Sequence, residues 1–533
     1  MLVKIKLVSL AVVAVLVTAT LLRLAPVLYF NEPYSVDSWP LIRDSNILMT
    51  NPNIKIWNDS ILDGYNNRWP GTILATLLYS IITGLSVIDT YKFFGPLISS
   101  LTALILMYAI LRRIYKSSAA SVHALTYFAL ALPLLVFTSA TIKEVYAYPI
   151  FYSIALLTLI TISRWGINAP AIVITTLLAT AISMTHHLAS IMLIGILVST
   201  HTIYLLLRLL GRLTNPGINY SNLLIPLAIL STVFATYYFM YGIEGFKIPL
   251  SLDDVITYLV YAATIYLTYA LTRLISSRTR KLMSILAILV VLITLLILPR
   301  KSPLPGIGPI NGPSIIIYIL PPLLPIFIIK LSGASNHVGV FITGLYLLLA
   351  TNIAYVVLAK PELSGVFHRI ANYLIIANTL LIANSLLSKN FRVKAYILTL
   401  LLITITCSIV GTLNRIQGGD GVTYYWTFRP SEVSAFSTIS NLIEESITIT
   451  GDAKVAYFYS IQHNVDSGAF LKFIQQGSMN ALRNKLVLLY SDNYRWGYVV
   501  SLNSISIKPY RSIILKLDRL VDFGYVNGLM SGE

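Results

Sequence analysis

The residues best suited to chemistry in this 533-residue chain lie in short polar stretches between long apolar runs. Residues 30–70 hold Glu32, Asp37, Asp44, Asp59 and Asp63, together with Arg43, Lys55 and Arg68. Carboxylates beside a membrane surface can act as general bases or hold a hard divalent cation such as Mg²⁺ or Mn²⁺; they can equally form a solvated acidic loop. Glu144, preceded by Lys143, ends an apolar run, where a charge is a functional candidate or a side chain reaching for the surface. His186 and His187 occupy a tight junction between two runs. Adjacent residues on a helix point different ways, so the pair reads as a donor to a substrate oxygen, or as a satisfied buried histidine, rather than as two metal ligands. His368 and Arg369 precede a further run, and a guanidinium fork suits phosphate oxygens; the plain alternative is a helix-end anchor. Arg300 and Lys301 open a loop rich in Pro and Gly, and suit an anionic lipid head or an anchor.

The elements that must position these groups are membrane spans. Hydrophobic residues make up 56% of the chain and charged ones 11%, against about 25% charge in soluble domains. Thirteen apolar runs are long enough to cross a bilayer: 7–29, 92–111, 119–139, 146–163, 169–185, 188–207, 222–242, 255–275, 282–299, 314–330, 338–359, 370–388 and 395–413. The first follows Lys4 and Lys6 like a signal peptide but runs on without a clear cleavage site, so it is expected to be a retained helix. A fourteenth run, 71–83, carries Ile73, Leu74, Leu77, Leu78, Ile81 and Ile82 on one stripe, and reads as a helix lying in the membrane surface.

Charge decides the orientation. With Lys4 and Lys6 inside and 71–83 not crossing, sixteen Lys and Arg and no acid fall on the inner side, while all 21 acids fall outside. That is the positive-inside pattern, and it accounts for the net charge of +17 without nucleic acid. The single cysteine, Cys407, excludes an intrachain disulfide and a Cys-based zinc site. The expected organisation is a membrane domain over 1–413, with a large outer loop at 30–91, and a small soluble extracytoplasmic α/β domain over 414–533. In that tail a helix is expected after Ser431, strands at Lys454–Tyr459 and Leu486–Tyr490, and a helix capped by Asp466 that ends before Gly477.

Asp37–Ser38–Trp39–Pro40–Leu41–Ile42–Arg43 places an aromatic two residues and an arginine six residues after an aspartate. It resembles the first-loop motif (Asp-Pro-aromatic-x-x-x-Arg) of oligosaccharyltransferase catalytic subunits, within the GT-C class of membrane glycosyltransferases. Trp69–Pro70–Gly71 opening an interfacial helix, Glu144 in the second outer loop, the thirteen spans and the exported tail are similar to that class too. The tail has no Trp-Trp-Asp-Tyr-Gly motif, loop 1 has no Asp-Glu pair, and Glu144 is a single acid rather than a pair, so the acceptor and the metal stay open.

The resemblance implies a multi-pass cell-membrane enzyme with a cytoplasmic N-terminus and an extracytoplasmic tail. Its donor would be a polyprenyl-phosphate-linked sugar and its acceptor a protein, glycan or lipid. Asp37 and Glu144 would be catalytic and would hold any divalent cation. Arg43, Asp44, His186, His187, His368 and Arg369 would bind substrate or the lipid phosphate. Two other readings stand beside it: a lipid or polysaccharide transporter or flippase, and a non-catalytic scaffold of the same architecture.

Overall fold

The computed structural model describes residues 2–162, 168–211, 220–247, 251–274, 313–325, 337–360, 367–421, 423–444, 446–459, 462–476, 479–500, 503–507, 514 and 517–530. Helix dominates, and among the described residues every strand lies after residue 447. Among the described residues eight helices are long and apolar enough to cross a membrane: Leu7–Phe30, Val87–Tyr115, Lys143–Thr161, His187–Leu209, Leu224–Gly245, Leu252–Leu271, Gly339–Leu358 and Phe391–Ile416. Large apolar side chains such as Leu7, Leu209, Leu252 and Phe391 stay exposed on them, a surface that water would penalise and lipid would not. Of the other expected spans, 169–185 and 370–388 match the Ala169–Thr185 and Phe367–Leu386 helices, and 314–330 begins with the Pro313–Leu323 helix. The expected span 282–299, with Arg300 and Lys301 after it, lies outside the described residues.

The expected 119–139 span is two helices, Ser118–Leu130 and Leu132–Phe137, divided at Ala131. Pro133 is the cause, because it has no N–H to give to the carbonyl four residues earlier, that of Ala129. Arg23, buried in the first helix, donates to that carbonyl at 2.9 Å, and Ser408 donates to the neighbouring carbonyl of Leu130.

The long loop after the first helix is itself built. Ser38–Thr50 is a helix within the expected loop, and Gly71–Thr83 is the expected interfacial helix. On the latter Leu74, Leu78, Ile81 and Ile82 are exposed while Thr72, Thr76 and Ser80 are buried; Ile73 turns inward with the polar stripe. A helix with its apolar side outward and its hydroxyls inward is arranged for lipid. Gly71 is required there, since a Cβ would lie 2.3 Å from Thr185 Oγ1. This close approach pins the helix to the end of the Ala169–Thr185 helix.

The tail carries a four-stranded sheet in the order Thr448–Thr450, Lys485–Tyr490, Val526–Met530, Asp518–Asp522, with the first pair parallel and the others antiparallel. Helices Pro430–Leu442 and Ser467–Gln476 flank it, and Asp466 caps the second by accepting from the N–H of Gly468 and of Ala469 at 3.1 Å. Lys454–Tyr459, expected as a strand, lies in the helix Ala453–Tyr459. Asp452 Oδ1 caps it by accepting from the Lys454 N–H at 3.0 Å, and Val455, Phe458 and Tyr459 make the buried face. One face of the sheet has its own core around Phe470, Phe473 and Tyr498. Ile449, Leu486, Leu488 and Val526 instead belong to the core that continues into the membrane helices, so the tail is docked rather than tethered.

Candidate active site

Asp37 stands at the start of the Ser38–Thr50 helix but makes no capping bond with its side chain. Its backbone N–H donates to Ser35 Oγ at 3.3 Å, and Ser35 has φ +92°, an outlier for a residue with a Cβ. Ser38 Oγ donates to the carbonyl of Tyr34 and, across the fold, to that of Thr141, each at 3.1 Å. Thr141 Oγ1 in turn accepts from the Gly95 N–H at 2.6 Å. A Cβ on Gly95 would sit 2.3 Å from the Ala140 carbonyl oxygen, so only glycine allows this approach. These short-range ties carry Asp37 to the Thr141–Glu144 segment, 104 residues further along the chain at its nearest point.

Glu144 begins the Lys143–Ile162 helix and is 1% exposed. Its Oε2 lies 3.4 Å from Arg369 Nε, an ion pair without hydrogen-bond geometry, and its Oε1 accepts from Tyr148 at 3.2 Å. Asn372 donates to the Tyr148 hydroxyl at 3.2 Å. Arg369 keeps 24% of its side chain exposed and has His186 Nε2 at 3.5 Å from Nη1. His186 Nδ1 accepts the Ala189 N–H at 3.2 Å as the cap of the next helix, so in the neutral ring the proton belongs on Nε2. Two donors, imidazole N–H and guanidinium, therefore face one another with no acceptor between them, an arrangement completed by an anion.

The two histidines correct the sequence expectation. His186 is extended, at φ −157° and ψ 119°, and only His187 is helical; the rings stack with centroids 5.0 Å apart rather than diverging. His187 is held between Trp69 and Phe246, at 5.0 and 4.7 Å, which makes it a shelf for His186. His368 lies in the first turn of the Phe367–Leu386 helix; its side chain falls outside the described residues.

Three groups that sequence reasoning did not assign also belong here. Lys143 Nζ is buried without a hydrogen-bond partner, 3.4 Å from the centroid of the Tyr65 ring, and its charge reaches Asp37, Asp44 and Asp63. From the tail, Tyr425 and the 40%-exposed Tyr457 lie in electrostatic reach of Asp37. The tail reaches the site because Trp39 packs on Phe428 and Phe458 at 5.0 and 4.7 Å, and because Arg43 donates to the Phe458 carbonyl. Lys143 was legible beside Glu144. Nothing in the local sequence signals the tyrosines, which arrive from a segment about 390–420 residues away.

The loop acids divide by role. Asp59 is taken by Arg68, and Asp63 accepts from the Tyr65 and Asn66 N–H groups, so both are committed to folding the loop. Burial holds the Asp37 carboxyl above its ordinary range, with Arg369 and Lys143 pulling the other way. Asp44 is 0% exposed, and burial, then the charge of Asp63, pushes it up to about 8, so it is mainly neutral at pH 7. Glu32 is raised to about 7 by burial, opposed by Lys92.

A divalent cation at Asp37 and Glu144 is a poor match for this donor set. Arg369 and Tyr148 already face the Glu144 oxygens, Lys143 and Arg369 supply the positive charge, and among the described residues no three His, Cys, Asp or Glu gather around a common point.

Solved structures share this fold at TM-scores above 0.5. The chain is similar to the Archaeoglobus fulgidus oligosaccharyltransferase in complex with Zn and sulfate: TM-score 0.52, 11% identity, 90% of this chain and 68% of that chain covered. It is also similar to the oligosaccharyltransferase AglB from Archaeoglobus fulgidus in complex with an inhibitory peptide and a dolichol-phosphate (TM-score 0.56, 11% identity, 90% and 69% covered). ArnT from Cupriavidus metallidurans bound to undecaprenyl phosphate aligns over 98% of this chain and 99% of its own at TM-score 0.48 and 9% identity. At such identities the likeness is one of fold. No family model and no curated protein matches the sequence.

Proposed function

We propose that the protein is an integral-membrane glycosyltransferase that moves a sugar from a polyprenyl-phosphate-linked donor to an acceptor on the extracytoplasmic side. The observation that carries this reading is the meeting of one carboxylate, Asp37, with an unfilled donor pair, Arg369 and His186 Nε2–H, at one end of the helix bundle. The fold likeness supports it, and a dolichol-phosphate accompanies the AglB neighbour.

In the proposed reaction Asp37 accepts the proton of the acceptor nucleophile as it attacks the anomeric carbon. The bond from that carbon to the phosphate oxygen breaks, and the electron pair leaves with the phosphate. Arg369 and His186 neutralise the charge that develops there. Glu144 and Tyr148 hold the guanidinium in place, so Glu144 is a positioning residue rather than a second base. Lys143, against the Tyr65 ring, keeps positive charge beside Asp37, and the tail tyrosines line the acceptor side. No step is routed through a bound metal.

The test is transfer from lipid-linked sugars by the purified full-length protein, with and without chelator. Asp37→Asn should lower transfer by about 10²–10⁴-fold while the protein stays folded. Unchanged transfer in Asp37→Asn overturns the assignment.

A further inference from the structure

A second site lies at the opposite end of the same helices. Below the Glu144–Arg369 pair, Tyr148, Tyr152 and Tyr373 form a layer, and Phe151 packs on Tyr373 at 5.8 Å. Beyond that layer is a cavity of about 310 Å³, at the lower end of the range for ligand pockets. Its wall is almost wholly apolar, including Met107, Ala155, Leu197, Phe341 and Leu380. Its far end is marked by Arg113 and Lys116, both exposed. Helix geometry fixes how far this is from the acidic cluster. The near wall, at Phe151 and Tyr152, is seven to eight residues from Glu144, about 11–12 Å of helix, and Leu159 is fifteen residues away, about 22 Å.

We propose that this cavity binds the apolar chain of an anionic, phosphate-bearing lipid, with the headgroup at Arg113 and Lys116 on the membrane face opposite Asp37. Two features argue for an occupant of that chemistry. Protein interiors are close-packed, and a void of this size left empty forfeits contacts along its whole wall. Apart from the hydroxyls of Tyr152, Thr158 and Thr200 the wall is apolar, while the charge sits only at the rim, which matches an amphiphile with one anionic end. The inference does not rest on the proposed reaction, whose residues lie at the other end of the bundle. It concerns a lipid from the opposite leaflet, held as a structural or regulatory ligand.

The test is native mass spectrometry of the purified full-length protein after exposure to equal amounts of dioleoyl phosphatidylglycerol and dioleoyl phosphatidylcholine. Polyprenyl phosphate serves as a second probe and inorganic phosphate as competitor. Wild type should retain phosphatidylglycerol or polyprenyl phosphate in preference to phosphatidylcholine, and whichever is retained identifies the source. Ala155→Trp, which fills the cavity, should abolish that retention. Arg113→Gln/Lys116→Gln, at exposed positions, should weaken the anionic preference about 30-fold. Retention unchanged in both variants, or full displacement by inorganic phosphate, overturns the proposal. If Ala155→Trp fails to fold, the double variant decides alone.

Discussion

Arg23 and Arg369 are both arginines set among membrane helices, and they are treated in opposite ways. Arg23 is 1% exposed, and two of its three nitrogens are engaged: Nε by Thr138 Oγ1 at 2.7 Å, Nη1 by the carbonyls of Ala19 and Ala129 at 3.0 and 2.9 Å. It repairs the break that Pro133 makes in the facing helix. Arg369 has its carboxylate at 3.4 Å, its Nε lacks a hydrogen-bond partner, and it faces another donor across 3.5 Å. One cation completes the fold; the other is left incomplete by it. Buried polar groups are normally satisfied, so the incompleteness points to a ligand rather than to packing.

That contrast can be broken by substitution. The largest expected effect is on catalysis: Arg369→Gln should lower transfer by about 10²–10³-fold, as loss of one transition-state donor does, read per folded molecule because the buried Glu144 carboxylate loses its counter-charge. Next in size, Arg23→Met should cost about 2–4 kcal/mol of stability, read by denaturation in detergent, because buried carbonyls lose their donor. Its transfer rate per folded molecule should stay at the wild-type value. If Arg23→Met lost activity while remaining as stable as wild type, the division between the two arginines would fail.

A smaller effect separates Asp44 from Asp37. Asp44 is held near 8 in the folded protein against about 3.8 when unfolded, so between those values the folded state binds more protons and stability falls as pH rises. Asp44→Asn removes that dependence. It should raise the melting temperature at pH 8–9, leave it nearly unchanged at pH 4, and preserve transfer. Asp37, also raised by burial, should instead set an acid limb of the transfer rate above the ordinary carboxylate range, and Asp37→Asn should leave no such limb to measure.

Much of this was legible in the residues. The Gly71–Thr83 helix appeared with its bounds intact because Pro70 precedes it and Gly84, at φ +73°, ends it, with an apolar stripe between. The Ser38–Thr50 helix was missed although Pro40 in its first turn is a start signal, because the long loop lacks a simple helical stripe. Lys454–Tyr459 read as a strand from its aromatic content; the cap at Asp452 and the i, i+3, i+4 burial of Val455, Phe458 and Tyr459 decide for helix. At the site, Asp37, Glu144 and Arg369 could be picked out as outlying charges. The stacking of His186 on His187 could not, since it depends on an extended residue at a helix junction. Nor could the arrival of Tyr425 and Tyr457, which depends on how the tail docks through Trp39.

The central claim is that the incomplete donor pair at Arg369 and His186 receives the phosphate of a lipid-linked donor, while Asp37 acts only on the acceptor. A binding titration of the purified protein with polyprenyl phosphate tests it most directly. Asp37→Asn should bind as wild type does, while Arg369→Gln should bind at least about tenfold more weakly, as expected for loss of a charge-assisted contact. Equal affinity in wild type and Arg369→Gln would contradict it.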